Sequence, residues 1–187
     1  MALVEPQPLW PQAARLCPQR SLPRYRFTPG LNFHPSGHPQ GHSYGNDIAK
    51  EISMPLPPER WRDNEIYLFG IDLYHQGYFW ESHEAWEALW HFTDKEDGEG
   101  QFLQGLIQNS AAQLKVHLKQ VSAAKHLSHE AWERLCFVLS SGVCDEKSYF
   151  MGIDVSKLVT CIQTYYGPLW TGGNSPAGQA PRLEVVP

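Results

Sequence analysis

An identical six-residue segment occurs twice in this chain of 187 residues. Residues 82–87 and 128–133 both read Ser-His-Glu-Ala-Trp-Glu, and the two histidines are 46 residues apart (129 minus 83). Each copy follows a stretch that reads as the end of one helix and the beginning of another. A period in this range is typical of repeated helix pairs. The region around residues 64–140 is therefore predicted to contain two helical hairpins.

Apolar residues at three- and four-residue spacing predict five helices. Their predicted ranges are 59–75, 78–92, 101–117, 122–139 and 155–166. Gly77 separates the first two, Asp154 caps the last, and Gly167-Pro168 ends it. The third helix is apolar on nearly every side, which predicts a central, buried position. Because no segment shows convincing strand alternation, the sequence predicts an all-α, compact up-and-down bundle of two hairpins plus a C-terminal helix.

Residues 1–58 have a different composition from the helical region. They are rich in Pro, Gly and His, and so many prolines prevent long helices and central strands. We expect an irregular N-terminal arm that is partly disordered, mainly within residues 1–22. Aromatic residues such as Trp10 and Tyr44 favour an extended strap packed over the helices. The predicted organisation is thus an arm (1–58), a helical-bundle domain (59–170) and a flexible tail (171–187).

Composition excludes several classes of protein. The net charge is −5, and the absence of a Lys/Arg cluster argues against a nucleic-acid partner. The four cysteines have no CxxC spacing, which favours reduced thiols over a disulfide framework or a zinc site. Neither a signal-peptide pattern nor an apolar run long enough to span a bilayer is present. We therefore expect a cytoplasmic protein with no membrane partner.

The first copy of the repeat contains a candidate polar site. On a helix, His83, Glu84 and Glu87 fall within one continuous arc. Such an arc can hold a divalent metal, or let a carboxylate tune an imidazole for proton transfer. A solvated acidic face is the alternative, and both interpretations stay open for this copy. For the second copy, which carries His129, the solvated face is favoured.

A stripe of glutamines is predicted to complete the site. Gln104 and Gln108 lie on one side of the apolar third helix. Leaving a buried amide without a partner costs about 1–3 kcal/mol. Antiparallel packing of neighbouring helices would bring these amides towards His83, Glu84 and Glu87. The sequence therefore predicts a hydrogen-bonded cluster inside the bundle, which is either a structural lock or a ligand pocket.

The arm supplies one more candidate, His42. Glycines flank it in Gly41-His42-Ser43-Tyr44-Gly45, so the backbone can approach the helices closely. A lone histidine in a loop is more often a bystander, but if the arm folds over the bundle, His42 is the arm histidine whose position relative to Glu84 matters. Histidine-rich loops also supply metal ligands. The candidate metal ligands are His83, Glu84, Glu87 and His42.

Two motifs resemble a known family. The segment Gly77-Tyr78-Phe79-Trp80-Glu81-Ser82-His83-Glu84, the closing Trp90, and then Phe102-Leu103-Gln104-Gly105-Leu106-Ile107-Gln108 look like the bacterial and archaeal "domain of unknown function 309" family. The resemblance covers about residues 62–166. It implies a small up-and-down helical bundle with no established activity. The family's marked positions correspond to Gly77, Glu81, His83, Glu84, Trp90, Gln104, Gly105 and Gln108.

This chain departs from the family pattern in two places. A basic residue usually precedes the Phe of the second motif, whereas Glu99-Gly100-Gln101 stands there in this chain. A charge partner for the Glu/His cluster is then either absent or supplied from elsewhere. The second copy of the hexapeptide also lies outside the family pattern.

Three functions remain open from the sequence. The first is a binding module for a small polar ligand or peptide, whose polar cluster comprises Glu81, His83, Glu84, Glu87, Trp90, Gln104 and Gln108. The second is a hydrolase that uses a divalent metal as cofactor, held by the metal set named above. The third is a purely structural protein. Because no Gly-rich phosphate loop, Gly-x-Ser-x-Gly elbow or Cys-His motif is present, the chain has no complete catalytic signature.

Overall fold

The computed structural model describes residues 3–46, 48–52 and 54–186, and most of the ordered elements are helices. The α-helices are α1 (Glu65–His75), α2 (Phe79–Trp90), α3 (Gly98–His117), α4 (Val121–Ser140) and α5 (Val155–Trp170). Short 3₁₀ helices at Ile48–Glu51 and Pro58–Asp63 precede them. Each α-helix packs against the next along the chain, so α3 contacts both α2 and α4. The prediction of a mainly helical bundle is confirmed.

Capping side chains determine where the helices begin. The predicted helix 59–75 is interrupted at Asn64, whose side chain accepts a hydrogen bond from the Tyr67 N–H at 3.1 Å, so α1 begins only at Glu65. The third helix begins three residues earlier than predicted because the Asp97 carboxylate caps it. Asp154 caps α5 as predicted and accepts from the Lys157 N–H at 2.9 Å.

The last helix ends later than the sequence predicts. Gly167-Pro168 was expected to end it at Tyr166, but α5 continues to Trp170 with Pro168 inside it. Contacts with the bundle account for the extra turn. Leu169 is buried, and the Trp170 indole N–H donates to the Ser128 hydroxyl at 2.9 Å. Packing therefore overrides a local helix-ending signal.

A two-stranded hairpin precedes α5, where the sequence predicts no strand. Strands β1 (Tyr149–Phe150) and β2 (Ile153–Asp154) pair antiparallel. The turn residues Met151 and Gly152 have φ angles of 46° and 78°, as a tight two-residue hairpin turn requires. Strands of two residues are too short for alternation to be visible in a sequence.

Part of the C-terminal segment contacts the folded domain. Val185 forms an isolated bridge with Ile153, Leu183 is buried, and the buried Tyr74 hydroxyl donates to the Pro181 carbonyl at 2.9 Å. These contacts hold Pro181, Leu183 and Val185 against the folded domain, in the segment that the sequence predicts to be a flexible tail.

The arm is anchored on α1 by a buried carboxylate. Asp72 is only 2% exposed and accepts hydrogen bonds from the backbone N–H groups of Leu16 and Cys17, both at 2.8 Å. The Arg15 guanidinium lies 3.4 Å from the same carboxylate. One α1 side chain thus satisfies two arm amides and pairs with an arm cation. This anchor places the following residues of the arm next to α1 and α2.

A second contact between the arm and α1, that of Trp10 with His75, is expected to make the stability of the protein depend on pH. The His75 ring is buried and packs edge-on against Trp10 with ring centroids 5.2 Å apart. Burial, reinforced by Arg182 and opposed by Glu184, lowers the pKa of His75 from 6.5 to about 4. The fold therefore favours neutral imidazole. The resulting stabilisation is complete above pH 6.5 and is lost as the pH falls through about 4.

Between pH 7 and pH 4 we expect the protein to lose on the order of 3 kcal/mol more unfolding free energy than a His75→Phe variant, which cannot titrate. Chemical denaturation at a series of pH values measures this difference. His126→Phe is the control, because the His126 side chain is 72% exposed and its loss should leave the pH slope unchanged. Equal pH slopes for the wild type and His75→Phe would contradict the buried neutral imidazole.

Within the described ranges, none of the helices combines the length and apolar character needed to cross a membrane.

Candidate functional site

The centre of the candidate site is the Glu81 carboxylate, in the first turn of α2. Its side chain is 5% exposed. Oε1 accepts hydrogen bonds from the Phe27 backbone N–H at 2.9 Å and from the His42 ring at 2.9 Å. Oε2 is buried and has no hydrogen-bond partner among the described residues. Glu81 therefore has an acceptor oxygen that no described residue of the chain uses. Leaving a buried oxygen unpaired costs free energy.

His42 connects the arm to α2 through Glu81. Its Nε2 faces Glu81 Oε1, its Nδ1 lies 2.8 Å from the Ser43 hydroxyl, and its ring lies 4.6 Å from the Tyr25 ring between centroids. A carboxylate only accepts, so Nε2 carries the proton that is shared with Glu81.

In this structure His42 contacts Glu81 and is not among the three residues whose ligand atoms converge, His83, Glu84 and Glu87. His42 was expected near Glu84 as a fourth ligand for a metal, but both of its ring nitrogens already have partners. A metal ligand needs a free nitrogen lone pair. In this arrangement His42 orients the Glu81 carboxylate, and a fourth metal ligand from the arm stays a prediction.

A cavity of about 620 Å³ lies between the arm and the helices. We call it the arm–bundle cavity. Its lining includes Arg20, His42, Phe69, Trp80, Glu81 and Glu84. Its volume falls within the range of small-molecule sites, and its lining combines aromatic and charged side chains.

The lining of the cavity carries more negative than positive side chains. Its acidic residues are Glu51, Glu81 and Glu84, and its arginine is Arg20. Because Arg20 forms an ion pair with Glu51, two carboxylates remain without an arginine or lysine in the lining. A cleft of this kind concentrates cations.

A second arrangement borders the cavity on the same helix. His83, Glu84 and Glu87 each offer one ligand atom, and these atoms lie within 4.8 Å of one another. All three residues are partly buried, and His83 Nδ1 is 3.3 Å from a Glu84 oxygen. The structure therefore brings together the three residues of the predicted arc. One imidazole and two carboxylates suit ions such as Zn²⁺, Mn²⁺ or Fe²⁺.

The predicted partner of Gln108 is wrong. Its amide N–H donates to Glu130 at 2.8 Å, and its carbonyl accepts from the Arg134 guanidinium at 3.0 Å. Both partners come from α4, and Glu130 belongs to the second hexapeptide. Helix α3 packs between α2 and α4. Gln108 lies on the face of α3 that meets α4, so its amide finds its partners there. The hydrogen bonds of Gln108 therefore go to α4 and not to the first hexapeptide.

Arg134 also occupies the region where the family pattern differs. Its guanidinium donates to the Gln101 side chain at 2.9 Å, and Gln101 stands just before the Phe of the second motif. A cation from α4 thus lies beside the position where the family usually has a basic residue. The two copies have different surroundings, since Glu130 of the second copy is bound inside this network while His129 and Glu133 are exposed.

Two further predicted residues lie apart from the cavity lining. Trp90 closes α2, and the Lys95 ammonium sits 3.9 Å from its ring centroid, a cation–π contact. Gln104 is partly buried on α3. Neither residue lines the arm–bundle cavity. The predicted polar cluster is therefore not a single site, since Glu81 and Glu84 line the cavity while Trp90, Gln104 and Gln108 do not.

Sequence reasoning missed Asp72 and Arg20. Asp72 was detectable in principle, since it is a charged residue between Ile71 and Leu73 on a predicted helix. Arg20 lies in a segment without periodicity, and no pattern in the sequence connects it to α2.

The first motif lies on α2, which lines the arm–bundle cavity together with α1, and the second motif lies on α3, which does not line it. The family described as Domain of unknown function (DUF309) matches residues 67–127, which confirms the resemblance. This range covers most of α1, all of α2 and α3, and the beginning of α4. It contains Glu81 and the group of His83, Glu84 and Glu87, but neither the arm nor the second hexapeptide. No curated protein matches the chain.

Proposed function

We propose that this chain, whose helices α1–α3 carry the DUF309 match, binds a small polar ligand in the arm–bundle cavity. The observation that supports this most is the unpaired Glu81 Oε2, on a side chain that is 5% exposed. Proteins rarely leave a buried carboxylate oxygen without a donor. A ligand donor reaching this carboxylate would remove the cost.

The surroundings of Glu81 favour binding over a purely structural role. A carboxylate with a purely structural role would receive donors from the chain on both of its oxygens. Both protein donors of Glu81 instead bond to Oε1. The site is also held from two sides, since Phe27 and His42 come from the arm and Glu81 from α2. Such preorganisation lowers the entropic cost of binding.

NMR titration tests the proposal with the full chain. The probes are three classes of small solute: alkylamines, alkanoates and polyols. The alkylamines or the polyols, which carry hydrogen-bond donors, are expected to shift both the Phe27 amide and the Trp80 indole signals. Glu81→Gln should then weaken binding of that class about 10- to 100-fold, as expected for a lost charge-assisted hydrogen bond.

Glu133→Gln provides the matched control, because that carboxylate is 59% exposed in the second hexapeptide and should leave binding unchanged. If none of the three classes moves either signal, the cavity is not a ligand site. If Glu81→Gln changes stability and leaves binding intact, Glu81 is a structural residue.

One observation favours a second candidate, a metal-dependent hydrolase. It is the convergence of His83, Glu84 and Glu87 within 4.8 Å. A bound divalent ion would supply Lewis-acid chemistry there. Within the chain, these three side chains would hold it, and Glu84 would place it at the edge of the arm–bundle cavity.

Metal titration separates the two candidates. Under the metal hypothesis, Zn²⁺, Mn²⁺ or Fe²⁺ raises the melting temperature of metal-free protein, because a ligand that binds only the native state stabilises it. Glu87→Gln should abolish that increase. Glu87 does not line the arm–bundle cavity, so the same variant should leave small-solute binding unchanged. No thermal response to any of the three ions would count decisively against the hydrolase.

A further inference from the structure

Arg20 is the second unsatisfied charged group on the arm–bundle cavity. Its Nη2 pairs with Glu51, and its guanidinium lies 5.1 Å from the Phe69 ring centroid. The other terminal nitrogen, Nη1, is buried and has no hydrogen-bond partner among the described residues. A guanidinium N–H in that position calls for an acceptor.

The cavity thus has two unsatisfied groups of opposite kind. Glu81 lacks a donor at Oε2, and Arg20 lacks an acceptor at Nη1. Both residues line the same cavity, and they come from different parts of the chain, Arg20 from the arm and Glu81 from α2. A ligand that bears a donor and an acceptor at separate ends satisfies both at once.

We infer that the cavity binds an amino-acid-like compound, with its ammonium group at Glu81 and its carboxylate at Arg20. This inference rests on the proposed function and specifies its ligand. Two carboxylates, Glu81 and Glu84, line the cavity on α2, and the Trp80 ring of the same helix offers an aromatic surface for a cation. At the other end, a guanidinium matches the geometry of a carboxylate better than a lysine does.

A series of matched probes tests the inference on the intact chain. The ω-amino acids glycine, β-alanine, 4-aminobutanoate and 6-aminohexanoate vary the spacing between the two charges. Each is compared with the alkylammonium and the alkanoate of the same chain length, by NMR titration or calorimetry. The amino acid of best length is expected to bind at least tenfold more tightly than either of its singly charged counterparts.

Substitution of Arg20 assigns the carboxylate end. Arg20→Gln should reduce binding of the best amino acid to the level of the matched alkylammonium, and leave the alkylammonium itself unchanged. Arg24→Gln is the control, because Arg24 is an exposed arm residue outside the cavity lining. Arg20→Lys keeps the charge beside Glu51, and it should bind the amino acid with an intermediate affinity.

The outcomes distinguish this inference from the proposed function. If an alkylammonium or an alkanoate binds as tightly as every amino acid, the ligand class is wrong while the cavity remains a binding site. The same holds if polyols bind and amino acids do not. If no solute binds at all, both the inference and the proposed function fail.

Discussion

Replacing Asp72 by alanine is expected to lower the unfolding free energy by about 3–5 kcal/mol, the range for removing one partner of a buried charged network. The Leu16 and Cys17 amides would lose their acceptor, and Arg15 its counter-charge. Because these are the contacts that hold this part of the arm on α1, the arm should also detach. Urea denaturation measures the first effect, and trypsin cleavage after Arg15 or Arg20 measures the second.

Asp63→Ala is the matched control. The Asp63 side chain is 58% exposed and pairs with an equally exposed Arg60, and such surface pairs contribute little to stability. This variant should unfold within about 1 kcal/mol of the wild type and keep the arm resistant to trypsin. An Asp72→Ala protein that behaves like the control would show that the arm does not depend on this anchor.

Gly70→Ala is expected to destabilise the fold by about 3 kcal/mol, at the upper end for overpacking a core. A Cβ atom built at Gly70 would lie 2.4 Å from Nε1 of Trp86. Trp86 is fully buried, and its indole N–H donates to the Tyr67 carbonyl at 3.2 Å. The ring cannot move away without breaking that bond, so α1 and α2 would have to separate. Thermal and chemical denaturation measure the loss.

A second helical glycine offers the control. Gly167 lies inside α5, and apart from its chain neighbours and the backbone of its own helix, no atom of the described residues lies within 4 Å of the position that its Cβ would occupy. Alanine there should be neutral or should raise stability by up to about 1 kcal/mol, since alanine is the better helix former. Opposite signs for the two substitutions are the expected result. A harmless Gly70→Ala would mean that α1 and α2 do not approach each other as closely as described.

The helices were predictable because their signals are local. Apolar spacing and the capping residue Asp154 involve residues a few positions apart, and these produced α2, α4 and the beginning of α5 within a few residues. Pro168 shows where this fails. Its local signal ends a helix, yet the packing of Leu169 and the bond between Trp170 and Ser128 extend it.

The candidate site was only partly predictable for the same reason. His83, Glu84 and Glu87 share a helical arc, so the sequence alone brings them together. The partner of Gln108 depends on which face of α3 meets α4, which helical periodicity does not determine. Contacts between the arm and the bundle are harder still, because His42 and Glu81 are 39 residues apart and the arm has no periodicity.

The coupling between His42 and Glu81 tests the central claim most directly, since the arm–bundle cavity depends on this contact. A double-mutant cycle compares the unfolding free energies of the wild type, His42→Ala, Glu81→Ala and the double variant. A coupling energy of about 1–3 kcal/mol is expected for a buried hydrogen bond to a carboxylate. Strictly additive single effects would show that the two side chains do not meet in the folded protein.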